Sequence, residues 1–343
     1  MFLKEILLSY YILNFFISLY KFISIKKLRR NYIEKYPFVS ILIPARNEEK
    51  NLPRLLNSLK NLNYEKFEIL IYDDLSEDKT YEIAKKFEDD KIKVIKGIEK
   101  PEDWIGKNFA LYNLVKVSKG NVLIFLDADV EIINKDFILK VVENIKNDNV
   151  ITGFGNFEGS GKVILSIITF LFSQIPINYG LNGQFWAIKR EIYLKYEPHI
   201  KFKNEVLEDV KIGIYLLFKG LKIRFFDLKD VFKVKMYNNT SEVIEGFTKN
   251  SYRMFGKKLT PMIVLLYYFT FLLPFILFPI YPFNLICTIL ILNKLICDIK
   301  YGFSIKYTIL APIGFLLFGI IMLRSWYFSI TGNLYWKGRK LLL

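Results

Sequence analysis

A chain of 343 residues that is 52% hydrophobic has more apolar residues than one ordinary soluble domain requires, which leaves room for a domain and several membrane segments. Its formal charge of +15 would suit a phosphate backbone. However, Lys26, Lys27, Arg29 and Arg30 directly follow one apolar stretch and Arg253, Lys257 and Lys258 precede the next, so these charges fit juxtamembrane positions and nucleic-acid binding is set aside.

Phe2 to Ile25 is almost wholly apolar and about as long as a bilayer crossing requires. The basic run behind it places the following domain in the cytoplasm, and no small-residue cleavage site supports a signal peptide instead. From Phe38 the pattern alternates strand and helix. Phe38 to Pro44 reads as a strand, and Leu52, Leu55, Leu56 and Leu59 mark one buried face of a helix. Phe67 to Tyr72 is the next strand, and Ser76 or Asp78 is placed to cap the helix that bears Ile83, Ala84 and Phe87. Ile92 to Ile95 reads as a third strand, Lys107 to Lys116 as a helix, and the fully apolar Val122 to Leu126 as a central fourth strand. Such alternation predicts an α/β fold with a mostly parallel sheet and ligand sites at the strands' carboxyl ends, where Asp73, Asp74, Asp127 and Asp129 fall.

Gly161 to Ile177 is apolar but short for a span, and suits either a helix lying against the membrane or a core helix. Further apolar blocks run from Pro261 to Ile280, Leu285 to Ile299 and Tyr307 to Ile330, with Tyr281 to Asn284 as a turn. Lys294 and Asp298 make the middle block the weakest span. Three full spans would leave Lys337, Arg339 and Lys340 outside, against the positive-inside tendency, so two or three spans are expected. Cys287 and Cys297 both lie in this apolar third, which argues against a disulfide framework or a zinc site. His199 is the only histidine, and no nucleophile motif accompanies it for Ser-His-Asp or Cys-His catalysis.

Asp127 and Asp129 end an apolar strand two residues apart, so a turn there can aim both carboxylates at one divalent cation; the same pair would also serve to cap the next helix. Glu208 and Asp209 open a helix with a buried side at Val210, Ile214 and Leu217, where they suit either the helix dipole or proton abstraction. Gly106 permits close backbone approach, and Lys107 at a helix start offers charge to a phosphate or to solvent.

In sequence order, Ile43-Pro44-Ala45-Arg46-Asn47-Glu48-Glu49, Asp73 to Asp78, Asp127-Ala128-Asp129 and Glu208-Asp209 together resemble glycosyltransferase family 2. The resemblance implies a GT-A domain that takes a nucleotide-diphosphate sugar, expected to be a uridine diphosphate sugar, with Mg2+ or Mn2+. On that resemblance Pro44, Ala45 and Glu48 line the nucleotide pocket and Asp74 reads the base. Asp127 lies near ribose and metal, Asp129 ligates the metal, and Lys107 approaches the donor. Asp209 is then the base of a single, inverting displacement. Glu208 and the Gly183-Gln184-Phe185-Trp186 segment face the acceptor; Trp186 suits either stacking on a sugar or headgroup, or burial within a strand.

Two departures qualify the resemblance. Asn250-Ser251-Tyr252-Arg253-Met254 keeps only the arginine of the Gln-x-x-Arg-Trp found in processive members, leaving Arg253 to reach the diphosphate and arguing for transfer of one sugar. Lys79 replaces a common glycine. The layout is similar to that of carotenoid-acid and hopanoid-associated glycosyltransferases: an anchor over 1–30, a GT-A domain over 36–237, a membrane-surface segment over 238–258 and a transmembrane region over 259–343. It implies a multi-pass protein of the cell membrane acting on a lipid or amphipathic acceptor. A polyprenyl-phosphate sugar synthase and an inactive membrane scaffold of the same fold are the alternatives.

Overall fold

The computed structural model describes residues 2–175, 180–333, 335–336 and 339–340; Ile177, Lys337 and the side chains of Arg339 and Lys340 lie outside the described residues. The chain forms two compact units, each assembled from separated stretches. One comprises Lys26–Asn156 and Tyr179–Lys235, the other Met1–Ile25, Phe157–Asn178 and Met236–Leu343.

The first unit is built on strands β1 (Val39–Ala45), β2 (Phe67–Asp73), β3 (Ile92–Lys96), β4 (Val122–Leu126) and β5 (Val130–Ile132). These are followed by β6 (Val150–Phe154), the two-residue β7 (Asn156–Phe157), β8 (Phe185–Lys189), β9 (Ile223–Asp227) and β10 (Phe232–Val234). One sheet takes the order β3-β2-β1-β4-β8-β6-β9. Its pairs are parallel except that β8 runs antiparallel to both β4 and β6. β4 is central, as its unbroken Val-Leu-Ile-Phe-Leu run predicts, because only a strand covered on both faces can be apolar at every position. The β1–β4 ladder ends at Leu42, two residues before Pro44, so the proline nitrogen, which has no hydrogen to donate, leaves no gap in it. Separately, β5 pairs antiparallel with β10.

Helices cover the sheet where the sequence places them. Leu52–Leu59 buries Leu52, Leu55, Leu56 and Leu59. Gly106–Val117 packs Leu111 and Leu114 on one face of the sheet, and Glu208–Phe218 adds Ile212 and Leu216 to the same core, whereas Val210, Ile214 and Leu217, expected as its buried side, are only half-buried. The third helix, Thr80–Lys86, ends one residue short of Phe87, its C-cap. Neither expected residue is its N-cap, which is Lys79: Asp78 lies one position earlier and accepts the Thr80 N–H at 2.9 Å, and Ser76 accepts from Asn47 in a neighbouring loop. Behind the centre of the sheet Trp186 stacks on Phe125, with ring centroids 3.9 Å apart and planes at 7°. His199 joins them, fully buried and bonded through Nδ1 to the Tyr193 hydroxyl at 2.7 Å.

The second unit is helical: Phe2–Ser24, Lys162–Ser173, Thr240–Phe271, Leu273–Ile276, Phe283–Tyr301, Ile305–Ile309 and Ala311–Thr331. Glu5–Ser24 and Ala311–Thr331 are long and apolar enough to cross a membrane. Lys162–Ser173 buries Ile164, Leu165, Ile167 and Phe170, so its described part is a packed helix. The block expected from Pro261 begins earlier, on a helix broken at Gly256, whose φ of 77° belongs to the left-handed region. The middle block turns Lys294 and Asp298 inward. The Lys294 ammonium donates to both carboxylate oxygens at 2.5 Å, and the Thr308 hydroxyl donates to Asp298 at 2.7 Å. The two charges inside the block thereby satisfy each other, and Lys300 near the helix end donates to the Ile25 carbonyl.

Phe125 fills the core against the sheet at 1% exposure. Phe125→Ala should therefore cost about 3–5 kcal/mol through lost burial and a residual cavity. Thermal unfolding would show this as a lowered midpoint, and an unchanged midpoint would contradict the packing described.

Candidate active site

Two loops at the carboxyl ends of β1 and β2 are laced together. The Asp74 N–H donates to the Ala45 carbonyl at 2.8 Å, fixing the exits of the two strands against each other. Arg46 donates through Nη1 to the carbonyls of Asp74 (2.7 Å) and Leu75 (2.6 Å), and through Nη2 to Glu77 (2.8 Å). Asn47 gives its N–H to Ser76 Oγ at 3.0 Å and takes the Glu77 N–H on Oδ1 at 2.9 Å. The Glu48 N–H reaches Thr80 Oγ1 at 2.7 Å, and Asn51 holds the Glu48 carboxylate at 2.8 Å. This lacing offsets two unfavourable backbones, since Asn47 and Leu75 both take φ of 52° and leucine seldom does so. Asp73 and Asp74 are buried beneath it, and Pro44 and Ala45 form the end of β1 beside it. Sequence reading gives Arg46 no role. Its signal is an arginine inside the Asn-Glu loop, but its target lies 28 residues away and only the parallel pairing of β1 with β2 reveals it.

The second wall is acidic. Asp127 follows β4 directly, and its N–H donates to the Gln184 carbonyl at 3.3 Å, because β8 runs antiparallel alongside. Asp129 lies on the same turn, where its carbonyl accepts from Arg54 Nη2 and from the Lys235 N–H, each at 3.0 Å. From the start of the Gly106–Val117 helix, the Lys107 ammonium comes within 2.8 Å of Asp127 Oδ1 and 3.2 Å of Glu208 Oε1. Asp209, at the start of its own helix, accepts the Gly183 N–H on Oδ2 at 2.7 Å and the Val210 N–H on Oδ1 at 2.8 Å. Gly183 permits this closeness: a Cβ there would lie 2.9 Å from Asp209 Oδ2 and 3.2 Å from Lys107 Nζ.

The structure therefore gathers Lys107, Asp127, Glu208 and Asp209, with Asp129 on the adjoining turn and Pro44, Ala45, Glu48 and Asp74 in the laced loops. Trp186 does not belong to this group. At 2% exposure and stacked on Phe125, its ring cannot also stack on a sugar, so burial in the strand is the correct alternative. Arg253 lies on the Thr240–Phe271 helix of the other unit, and its side chain lies outside the described residues.

Proximity shifts the charges. Burial raises the Glu208 carboxyl from 4.5 to about 7, with Lys107 pulling against it. Asp209 is likewise raised, first by burial. Burial alone would lower the Lys107 ammonium, but Asp127, Glu208 and Asp209 outweigh it and hold the group well above its ordinary value. Burial, then the charge of Lys107, lowers His199 to about 3, so the only histidine stays neutral beneath the site.

Among the described residues no three His, Cys, Asp or Glu side chains form a complete metal cage. Asp127 and Asp129 nevertheless suit a hard divalent ion that takes its remaining ligands from phosphate and water, and an ammonium at 2.8 Å already satisfies Asp127 with positive charge.

Known proteins resemble this chain in sequence and in fold. The sequence model of the family described as Glycosyl transferase family 2 matches residues 40–195. A 4,4'-diaponeurosporenoate glycosyltransferase from Staphylococcus haemolyticus is 26% identical over 62% of this chain and 60% of its own length. A beta-monoglucosyldiacylglycerol synthase from Trichormus variabilis is 36% identical over 33% of this chain and 25% of its own length. The match therefore spans less than two thirds of either protein. An Escherichia coli UDP-Glc:alpha-D-GlcNAc-diphosphoundecaprenol beta-1,3-glucosyltransferase is 28% identical over 57% of this chain and 76% of its own length. Among solved structures, a Pyrobaculum calidifontis mannosyltransferase in complex with GDP-Man and Mn2+ superposes with a TM-score of 0.54. It covers 97% of this chain and 99% of its own at 14% identity, a likeness of fold.

Two outcomes follow from the geometry. Gly183→Ala forces a methyl between Asp209 and Lys107, and should lower turnover about 100-fold while circular dichroism stays unchanged; wild-type turnover would refute the close packing. Glu208 is protonated more readily in the folded chain, so its contribution to stability is complete below 4.5 and is lost as pH rises through about 7. Glu208→Gln, which cannot titrate, should therefore gain thermal stability relative to wild type between about pH 5 and about pH 8, and a pH-independent difference would contradict the shift.

Proposed function

We propose, for a chain that is a glycosyltransferase with a family 2 domain, that it moves one sugar from a uridine diphosphate sugar to a hydroxyl of a lipid or amphipathic acceptor at the cytoplasmic face of a membrane. The observation that carries this reading is Asp209, a carboxylate held by two backbone N–H groups beside a lysine and two further acids. As the acceptor hydroxyl attacks the anomeric carbon, Asp209 takes its proton and the bond to the diphosphate breaks, inverting the configuration. Burial raises Asp209, which makes it a stronger base than an exposed aspartate.

Asp74, beside Pro44, Ala45 and Glu48, accepts from the uracil imide. Lys107 faces the diphosphate, and Glu208 borders the acceptor. A divalent cation, Mg2+ or Mn2+, held by Asp127 and Asp129 supplies neutralisation of the leaving group. The donor assignment draws on the UDP-Glc named for the Escherichia coli relative. The acceptor draws on the diacylglycerol, diaponeurosporenoate and diphosphoundecaprenol in relatives' names. Membrane attachment draws on the apolar Glu5–Ser24 and Ala311–Thr331 helices, and the cytoplasmic orientation on Lys26, Lys27, Arg29 and Arg30.

Asp209→Asn should lower transfer to an alcohol by about 100- to 10,000-fold while calorimetry shows Mn2+-dependent UDP binding retained. Transfer would be followed by mass spectrometry of lipid extracts. Undiminished transfer would remove Asp209 as base and favour a phosphate acceptor, which arrives already anionic.

A further inference from the structure

The geometry points to Lys107 as the resident cation of the acidic site: it rests on Asp127 and Glu208 until a metal–nucleotide complex arrives, then passes from Asp127 to the diphosphate while keeping Glu208. This rests on the donor and metal reading above and adds an exchange of partners to it.

The two ion pairs differ in a way that makes one a pivot and the other a release. The Glu208 side chain is 8% exposed and the Asp127 side chain 28%. Abandoning a buried carboxylate would leave its charge uncompensated, whereas water can replace the ammonium at Asp127 with little loss. A divalent ion on Asp127 would meet the ammonium 2.8 Å from the same carboxylate, so the two cations compete for it. Lys107 has the freedom to yield: its side chain is 34% exposed on a flexible four-carbon stem. Gly183 keeps the path open, since a Cβ there would lie 3.2 Å from Nζ. A diphosphate bound beside the metal offers the ammonium new negative charge, so metal and nucleotide together compensate the move that metal alone opposes.

The test is a Mn2+ titration of the full chain, read from the electron paramagnetic resonance signal of free Mn2+, with and without UDP, on wild type, Lys107→Gln and Lys107→Arg. Without UDP, Lys107→Gln should bind Mn2+ at least about fivefold more tightly than wild type, the scale of one partly exposed ion pair. With UDP it should bind more weakly than wild type, because the ammonium that joins the diphosphate is gone. Lys107→Arg, which keeps the charge, should stay near wild type without UDP. That pairing of opposite signs separates partner exchange from misfolding, which would weaken both titrations. Weaker or unchanged Mn2+ binding by Lys107→Gln without UDP overturns the proposal. So does tighter binding in both titrations, which would make the lysine a competitor only. Absence of Mn2+ and UDP uptake by wild type would instead overturn the donor and metal reading itself.

Discussion

Carboxylates that converge beneath a partly covered surface either take up a proton or gather around a positive charge. In this chain one ammonium, Lys107, compensates Asp127 and Glu208 and lies beside Asp209. The rest of the site is arranged around that compensation. β8 must run antiparallel to β4 to bring Gly183 and Gln184 beside Asp127, and residue 183 must be glycine for Asp209 to approach. The helices starting at Gly106 and Glu208 share one apolar face of the sheet, so their first turns meet. The chemistry is a local result of how two helix starts are packed.

The two walls of the site differ mechanically. Arg46, Asn47, Ser76 and Thr80 tie the β1 and β2 exits by side-chain bonds to backbone, which leaves these loops little freedom. The other wall is held by ion pairs of a flexible lysine with the buried Glu208 and the partly exposed Asp127, of which the second rearranges at lower cost. The candidate site thus has a fixed part in these loops and a movable one at Lys107.

Much of this was legible in the sequence because it is local. Strand-end positions for Asp73, Asp74, Asp127 and Asp129, a helix start for Lys107, and the buried leucine face of Leu52–Leu59 all follow from patterns within a few residues. Illegible features depend on partners distant in sequence. Whether β8 runs parallel or antiparallel is set by the whole sheet, so a strand containing Trp186 reads the same whether its ring faces a substrate or Phe125. Arg46 and the inward pairing of Lys294 with Asp298 were hidden for the same reason, although the latter spans one helical turn: charge spacing reveals a pair but not the side of the helix that is buried.

The helical unit is discontinuous in sequence, its three stretches separated by the two that form the sheet. Its first helix, Phe2–Ser24, packs on Phe283–Tyr301; Tyr11 donates to the Thr270 carbonyl across 259 positions and Lys300 to the Ile25 carbonyl across 275. During synthesis this helix can meet that partner only after Phe283–Tyr301 has left the ribosome. Assembly of this unit therefore waits on its most distant stretch, and neither unit is encoded by a single contiguous fragment.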